Sequence, residues 1–327
     1  MTSNLLDLPS LLRLKNLHLT ARVVAEGALA GLHKAAHHGS SVEFAEHKEY
    51  APGDDLRHID WRAYGRIDKY YVKRFEEETE LRGYVVLDVS GSMGYGRENQ
   101  ISKLHFAGIL AASLAYLLLR QNDPAGLLLV GEGAGEAGGR RYIPARHGGA
   151  HLGDLCRAIE ETEAAGRSTL AEGLTFLSEL LRRRSLILVL SDLLPSPPMG
   201  DGPEAQAAAD YVSEQGALLR ARLCGLRAQK HDVIVLHVLD NDELELPFSS
   251  LTWFEDTEPG REGLSRLFVD PADLRSAYKA EIDRFLTEMR RGLREGDVEY
   301  HLLTTSRSPE SVLLDILRGP LRRRVRR

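Results

Sequence analysis

The chain has 327 residues, 43% of them hydrophobic, enough to bury the core of one large domain or of a domain with an extension. Its 48 acidic residues against 42 basic ones leave a formal charge of −6, which excludes a general polyanion-binding surface and sets nucleic acid aside as a partner. Cys156 and Cys224 are its only cysteines, both in helical patterns among apolar neighbours, so a disulfide framework and a thiolate metal site are excluded and a reducing cytoplasm is expected.

In chain order, residues 1–80 read as an N-terminal extension. A leucine-rich amphipathic helix (Leu11, Leu14, Leu17, then Val23, Val24, Leu29, Leu32) leads into a loop rich in His, Gly and Ser. The first 17 residues lack a basic start and are interrupted by acids and prolines, so no secretory signal is expected. Strands are predicted over 83–89, 125–131, 141–145, 185–191, 232–239 and 298–304, with helices between them. That alternation predicts a doubly wound α/β fold on a mostly parallel six-stranded sheet. The glycine-rich stretch 131–139 reads as a hairpin, which makes 141–145 the one antiparallel edge strand.

The sixteen uncharged residues of 104–119 are too short and too alanine-rich for a membrane span, and predict the central helix of the fold. Residues 195–203 have the composition of a mobile loop, and 241–269 read as a small β insertion. A helix opening at Asp270-Pro271 presents Leu274, Tyr278, Ile282, Phe285, Met289 and Leu293 as a core stripe. The arginine-rich tail 320–327 reads as a solvated end, with binding to an acidic partner or to anionic lipid as the alternative.

The informative feature is Asp88-Val89-Ser90-Gly91-Ser92, directly after the apolar run Tyr84-Val85-Val86-Leu87. One carboxylate and two hydroxyls at alternating positions, where a buried strand runs into a loop, form an oxygen set suited to a hard cation such as Mg²⁺. The set is short of negative charge, which favours a carboxylate supplied by another molecule. Two further segments fall at the same sheet edge: Gly166-Arg167-Ser168-Thr169 before a helical pattern, and Ser191-Asp192 after a second buried run.

With Asp88, Ser90, Ser92, Thr169 and Asp192 in that order, the chain resembles the von Willebrand factor A domain and its metal-ion-dependent adhesion site, so residues 81–327 are expected to form such a domain. The resemblance implies that Ser90 and Ser92 ligate Mg²⁺, Mn²⁺ or Ca²⁺ directly. It also implies that Thr169 ligates directly or through water, and that Asp88 and Asp192 act mainly through waters and hydrogen bonds. Upstream, the stretch from Glu49 to Ala63, with Tyr50, Pro52-Gly53-Asp54-Asp55, Arg57 and Ile59-Asp60-Trp61, resembles the signature of the bacterial "domain of unknown function 58" family. Tyr64-Gly65-Arg66 stands where that family often has Ser-Ala-Arg. On residue chemistry, Asp54, Asp55 and Arg57 are a folding and docking signature, since nothing there sets a base beside a nucleophile.

Other chemistries find less support. The histidines (His33, His37, His38, His47 and His58 among them) lack metal-protease or Cys/His spacing. Neither Ser90 nor Ser92 lies in G-x-S-x-G, and Gly131–Gly135 lacks the Lys and Ser/Thr of a phosphate loop. The expectation is a non-enzymatic, metal-dependent interaction module without a membrane span. The family resemblance implies a MoxR-type AAA+ ATPase as partner in assembling protein complexes. A metal-dependent hydrolase is the alternative; it requires a free base near the ion.

Overall fold

A computed structural model describes residues 16–36, 48–49, 64–65, 70–72, 81–97, 100–135, 138–194, 205–255, 257–258, 266–319 and 321. The signature from Tyr50 to Ala63, the loop 195–203 and the arginines of the tail lie outside the described residues. The chain divides into two compact units, residues 33–80 and the remainder. In the smaller, β1 (Lys48–Glu49) pairs antiparallel with β2 (Tyr71–Val72), and Tyr64 stacks on Tyr70 with ring centroids 4.4 Å apart.

The larger unit is built on six strands: β3 (Arg82–Asp88), β4 (Ala125–Val130), β5 (Arg140–Arg146), β6 (Ser185–Ser191), β7 (Asp232–Leu239) and β10 (Glu299–Thr304). Their order across the sheet is β10-β7-β6-β3-β4-β5, and only β5 runs antiparallel. Strands β4, β6 and β7 are buried along their whole length, and β3 in all but its first residue. This explains why they read as unbroken apolar runs: a parallel sheet covered on both faces offers no polar side.

Helices cover both faces. On one, α1 (Leu17–Ala36), α2 (Lys103–Arg120), α3 (Gly149–Glu160) and α8 (Pro309–Arg318) share a core with Leu87, Leu127, Leu188 and Leu236. On the other, α4 (Leu170–Leu180), α5 (Ala205–Ala228) and α7 (Pro271–Glu295) pack over Val86, Leu128, Val189 and Val235. Helix α1 is a core element, since Ala21, Val24, Ala25 and Ala28 are buried and the Ser113 hydroxyl on α2 donates to the Ala21 carbonyl. Residues 1–32 thus belong to the same compact unit as 81–327, and the smaller unit spans 33–80. Among the described residues, α2 is the helix long and apolar enough to cross a membrane; most of it is buried inside the fold.

The insertion opens with a short helix, α6 (Asn241–Glu245), that the β reading of 241–269 did not include. Asp240 and Glu243 close a reciprocal cap at its start. The antiparallel ribbon of β8 (Thr252–Glu255) and β9 (Arg266–Val269) follows, with Trp253 opposite Phe268 and both well exposed. Helix α7 starts on a textured cap, Asp270 accepting from the Ala272 amide with Pro271 in the first turn. Its stripe is core only in the second half: Met289 and Leu293 are buried, whereas Leu274 is exposed.

Candidate metal centre

Strands β3 and β6 are neighbours, and the chain leaves β3 toward β4 on one side before returning to β6 on the other. Ligands of open α/β sheets bind at the carboxyl ends of strands where the winding reverses in this way. Leu87 pairs with Leu190, so the register brings Asp88 and Ser191-Asp192 side by side at that edge.

The loops around the edge are laced by main-chain hydrogen bonds. Ala165 donates to the Val89 carbonyl, Gly91 to Gly166 and Gly133 to Ala165, each at 2.8–3.1 Å. Gly166 supplies a positive φ of 62° that a side chain would strain, and the turn it makes sets the two following hydroxyls on different partners. Ser168 Oγ donates to Asp88 Oδ2 at 3.0 Å. Thr169 Oγ1 instead donates to the Gly139 carbonyl at 2.7 Å and accepts from the Gly131 amide at 2.9 Å. The hydroxyl that meets the Asp88 carboxylate from this loop is thus that of Ser168, and Thr169, singled out from the sequence, ties the neighbouring loop instead.

Asp88 is 1% exposed and collects donors on both oxygens. The Ser90 amide donates to Oδ1 at 3.0 Å and the Ser191 hydroxyl to Oδ2 at 2.7 Å. Ser90 Oγ and Ser92 Oγ lie 3.1 Å apart. Four serine hydroxyls and one carboxylate therefore gather at one point. Leu193, just beyond, is buried with a φ of 55°, a costly conformation for a branched side chain that this edge imposes.

Asp192 faces a cation that sequence reasoning missed. Lys103, at the start of α2 and fully buried, donates to Asp192 Oδ2 at 2.7 Å and to Glu243 Oε1 at 2.5 Å. Burial pulls its ammonium down, but the two carboxylates more than offset this and hold it above its usual range. Glu243 is raised by burial, with Lys103 opposing. Below Asp192, His237 is fully buried, its Nδ1 2.7 Å from the Tyr300 hydroxyl, and desolvation brings it down to about 4, so it is neutral at pH 7.

Burial, then the nearby Asp192 charge, push Asp88 up to about 6, with Ser191 and Ser90 opposing. Between about pH 4 and pH 6 the folded, metal-free chain keeps a proton on Asp88 that the unfolded chain has released. This contribution to stability is therefore present at low pH and lost as pH rises through about 6. Because Asp88→Asn does not titrate, its stability relative to wild type in chelator is expected to rise by on the order of 3 kcal/mol from pH 4 to pH 7. Urea unfolding of both proteins across that range measures it, and a constant difference would refute the assignment.

The donor set decides which ions fit. Among the described residues no three His, Cys, Asp or Glu side chains converge to hold a metal, so an ion here would rest on hydroxyls and a carboxylate. That chemistry suits Mg²⁺ or Mn²⁺ and not Zn²⁺. Asp88, Ser90, Ser92 and Ser168 are the residues in place to hold it, and the raised Asp88 marks a carboxylate that a cation would relieve.

The fold and this edge define the class: a doubly wound α/β protein with an oxygen-lined site at the switch point of its sheet. Residues 46–285 match the family described as protein of unknown function DUF58, and the chain belongs to it. Uncharacterized proteins of Mycobacterium tuberculosis and Mycobacterium bovis are each 28% identical to it over 263 residues, which is 79% of this chain and 74% of theirs. Among solved structures, the open form of the pilus adhesin SpaC of Lactobacillus rhamnosus GG is similar at 11% identity and a TM-score of 0.47, over 76% of this chain and 31% of the adhesin. A von Willebrand factor type A protein of Catenulispora acidiphila is similar at 13% identity and a TM-score of 0.29, over 63% of this chain and 42% of its own.

Proposed function

We propose that this chain is a divalent-metal-dependent protein-interaction module that uses the Asp88 edge to capture a carboxylate of a partner protein. The observation that carries the reading is the convergence of the Ser90, Ser92, Ser168 and Ser191 hydroxyls on or beside one buried carboxylate. An ion held by neutral hydroxyls and one acid stays electrophilic and attracts a further anionic oxygen. The partner class, a MoxR-type AAA+ ATPase in assembly or maturation of a protein complex, comes from the family resemblance.

Hydrolysis is disfavoured by the state of the groups that would have to act as base. Asp192 is engaged by Lys103, His237 is sealed beneath the sheet edge, and Asp88 is surrounded by the hydroxyls it orients. The test is capture of a purified MoxR-type ATPase from the same genome on immobilised protein, with Mg²⁺ or with chelator. Binding is expected with Mg²⁺, lost in chelator and lost in Ser90→Ala. Binding indifferent to both changes would move the interface away from this edge, and metal-dependent turnover of an ester, peptide or nucleotide abolished by Asp88→Ala would replace the module with a hydrolase.

A further inference from the structure

Gly91 stands between the two serines of the site, and a Cβ there would fall 2.1 Å from the Thr257 carbonyl oxygen. The main chain at 257, just beyond β8, thus lies directly on the ligand-bearing loop, and both segments belong to one compact unit. A second set of contacts starts where that loop ends. The Tyr95 hydroxyl donates to Asp242 Oδ2 at 3.1 Å, and Arg97 pairs with the same carboxylate at 2.8 Å. The Arg97 guanidinium also lies 6.0 Å from the centre of the Phe248 ring, and Phe248 meets Phe254 of β8 edge-to-face at 5.9 Å. The β8–β9 ribbon is therefore fixed beside the Asp88 edge at two separate places.

The ribbon presents an apolar surface to water. Leu251, Trp253, Leu267 and Phe268 are 50–61% exposed, more than any other large apolar side chain among the described residues. Trp253 and Phe268 stand opposite each other across the pair, with ring centroids 4.8 Å apart. Single apolar residues scattered over a surface need no explanation, but four on one short ribbon, two of them aromatic and in contact, form a patch of the kind that partners cover. Tryptophan is also among the side chains that most often carry the energy of a protein interface.

Distance indicates what covers it. Trp253 and Thr257 are four residues apart, so their Cα atoms lie within about 14 Å of each other whatever path the chain takes. A protein interface of standard size covers about 800 Å² on each partner, a patch roughly 30 Å across. One such interface spans both the Asp88 edge, against which Thr257 lies, and the aromatic pair. We propose that Trp253 and Phe268 are the apolar half of the partner-binding surface: the protein segment whose carboxylate completes the ion's shell also carries a large aliphatic or aromatic side chain that seats on this pair. The proposal rests on the metal-dependent reading above and adds the chemistry of the partner, an acid combined with an apolar anchor instead of a lone carboxylate. The ion supplies the charge-dependent contact, and the ribbon, already tied to the metal loop, supplies apolar area with little further ordering cost.

Random dodecapeptides displayed on phage and selected on the immobilised, Mg²⁺-loaded full chain provide the test. The selected peptides are expected to be released by chelator and to carry an Asp or Glu and a large apolar residue within about six positions of each other, the ~20 Å reach of an extended segment. The double variant Trp253→Ser, Phe268→Ser is expected to bind a synthetic copy of the strongest peptide on the order of tenfold or more weakly than wild type. Calorimetry is expected to show Mg²⁺ entering that variant with unchanged affinity, so that the loss belongs to the ribbon and not to the metal edge. Mg²⁺-dependent peptides that show no apolar preference, or that bind the double variant as tightly as wild type, would overturn the anchor and leave the metal reading standing. A selection in which no peptide depends on Mg²⁺ would overturn both. A concentration-dependent dimer of wild type in sedimentation equilibrium, lost in the double variant, would assign the ribbon to a second copy of the chain and overturn the proposal.

Discussion

Replacing Lys103 with Met is expected to destabilise the protein by about 3–5 kcal/mol, the cost typical of leaving a buried charge without its partner. The ammonium bridges Asp192 and Glu243 with no exposure of its own, and Asp192 is fully buried as well. Methionine has a similar length and fills the same space, so the loss isolates charge from packing. Adding Asp192→Asn and Glu243→Gln is expected to recover most of it, because the buried anions disappear with the cation. Urea unfolding of the single and the triple variant decides the matter, and a single-variant loss under about 1 kcal/mol would show that the three groups are not coupled as described. The same change frees the Asp192 charge for the metal edge, so Mg²⁺ is expected to stabilise Lys103→Met more than it stabilises wild type.

Saturating Mg²⁺ is expected to raise the stability of the wild-type chain by about 2.7 kcal/mol at a hundred times its dissociation constant. For a protein of this size that corresponds to a rise of roughly 4 °C in Tm. The effect arises because the site exists only in the folded chain, where β3, β6 and the 166–168 turn bring the oxygens together. Ser92→Ala is expected to reduce the rise and Asp88→Ala to abolish it. In both, the fold persists, because Tyr84–Leu87 stay buried in mid-sheet. A melting temperature that is the same in chelator and in Mg²⁺ would contradict the site.

Much of this was legible in the sequence for a simple reason. Strands covered on both faces must be apolar throughout, so Tyr84–Leu87 and Leu186–Leu190 declared themselves, and the polar residues at their ends marked the sheet edge. What escaped has equally physical causes. Whether Ser168 or Thr169 meets Asp88 depends on the left-handed turn at Gly166, and an irregular loop has no periodicity from which to read direction. Lys103 lies 89 residues from Asp192 and at a helix start, where a lysine ordinarily faces water; only the packed sheet edge shows that it is buried. The close approach of the Thr257 main chain to Gly91 is again long-range, with no local signal to announce it.

The most direct test of the account is a calorimetric titration of Mg²⁺, and separately Mn²⁺, into the wild-type chain and Asp88→Ala at pH 7. Saturable binding of one ion per wild-type chain, absent in the variant while its circular dichroism remains that of a folded α/β protein, is the predicted result. Identical heats in the two proteins would contradict the assignment of the metal to the Asp88 edge.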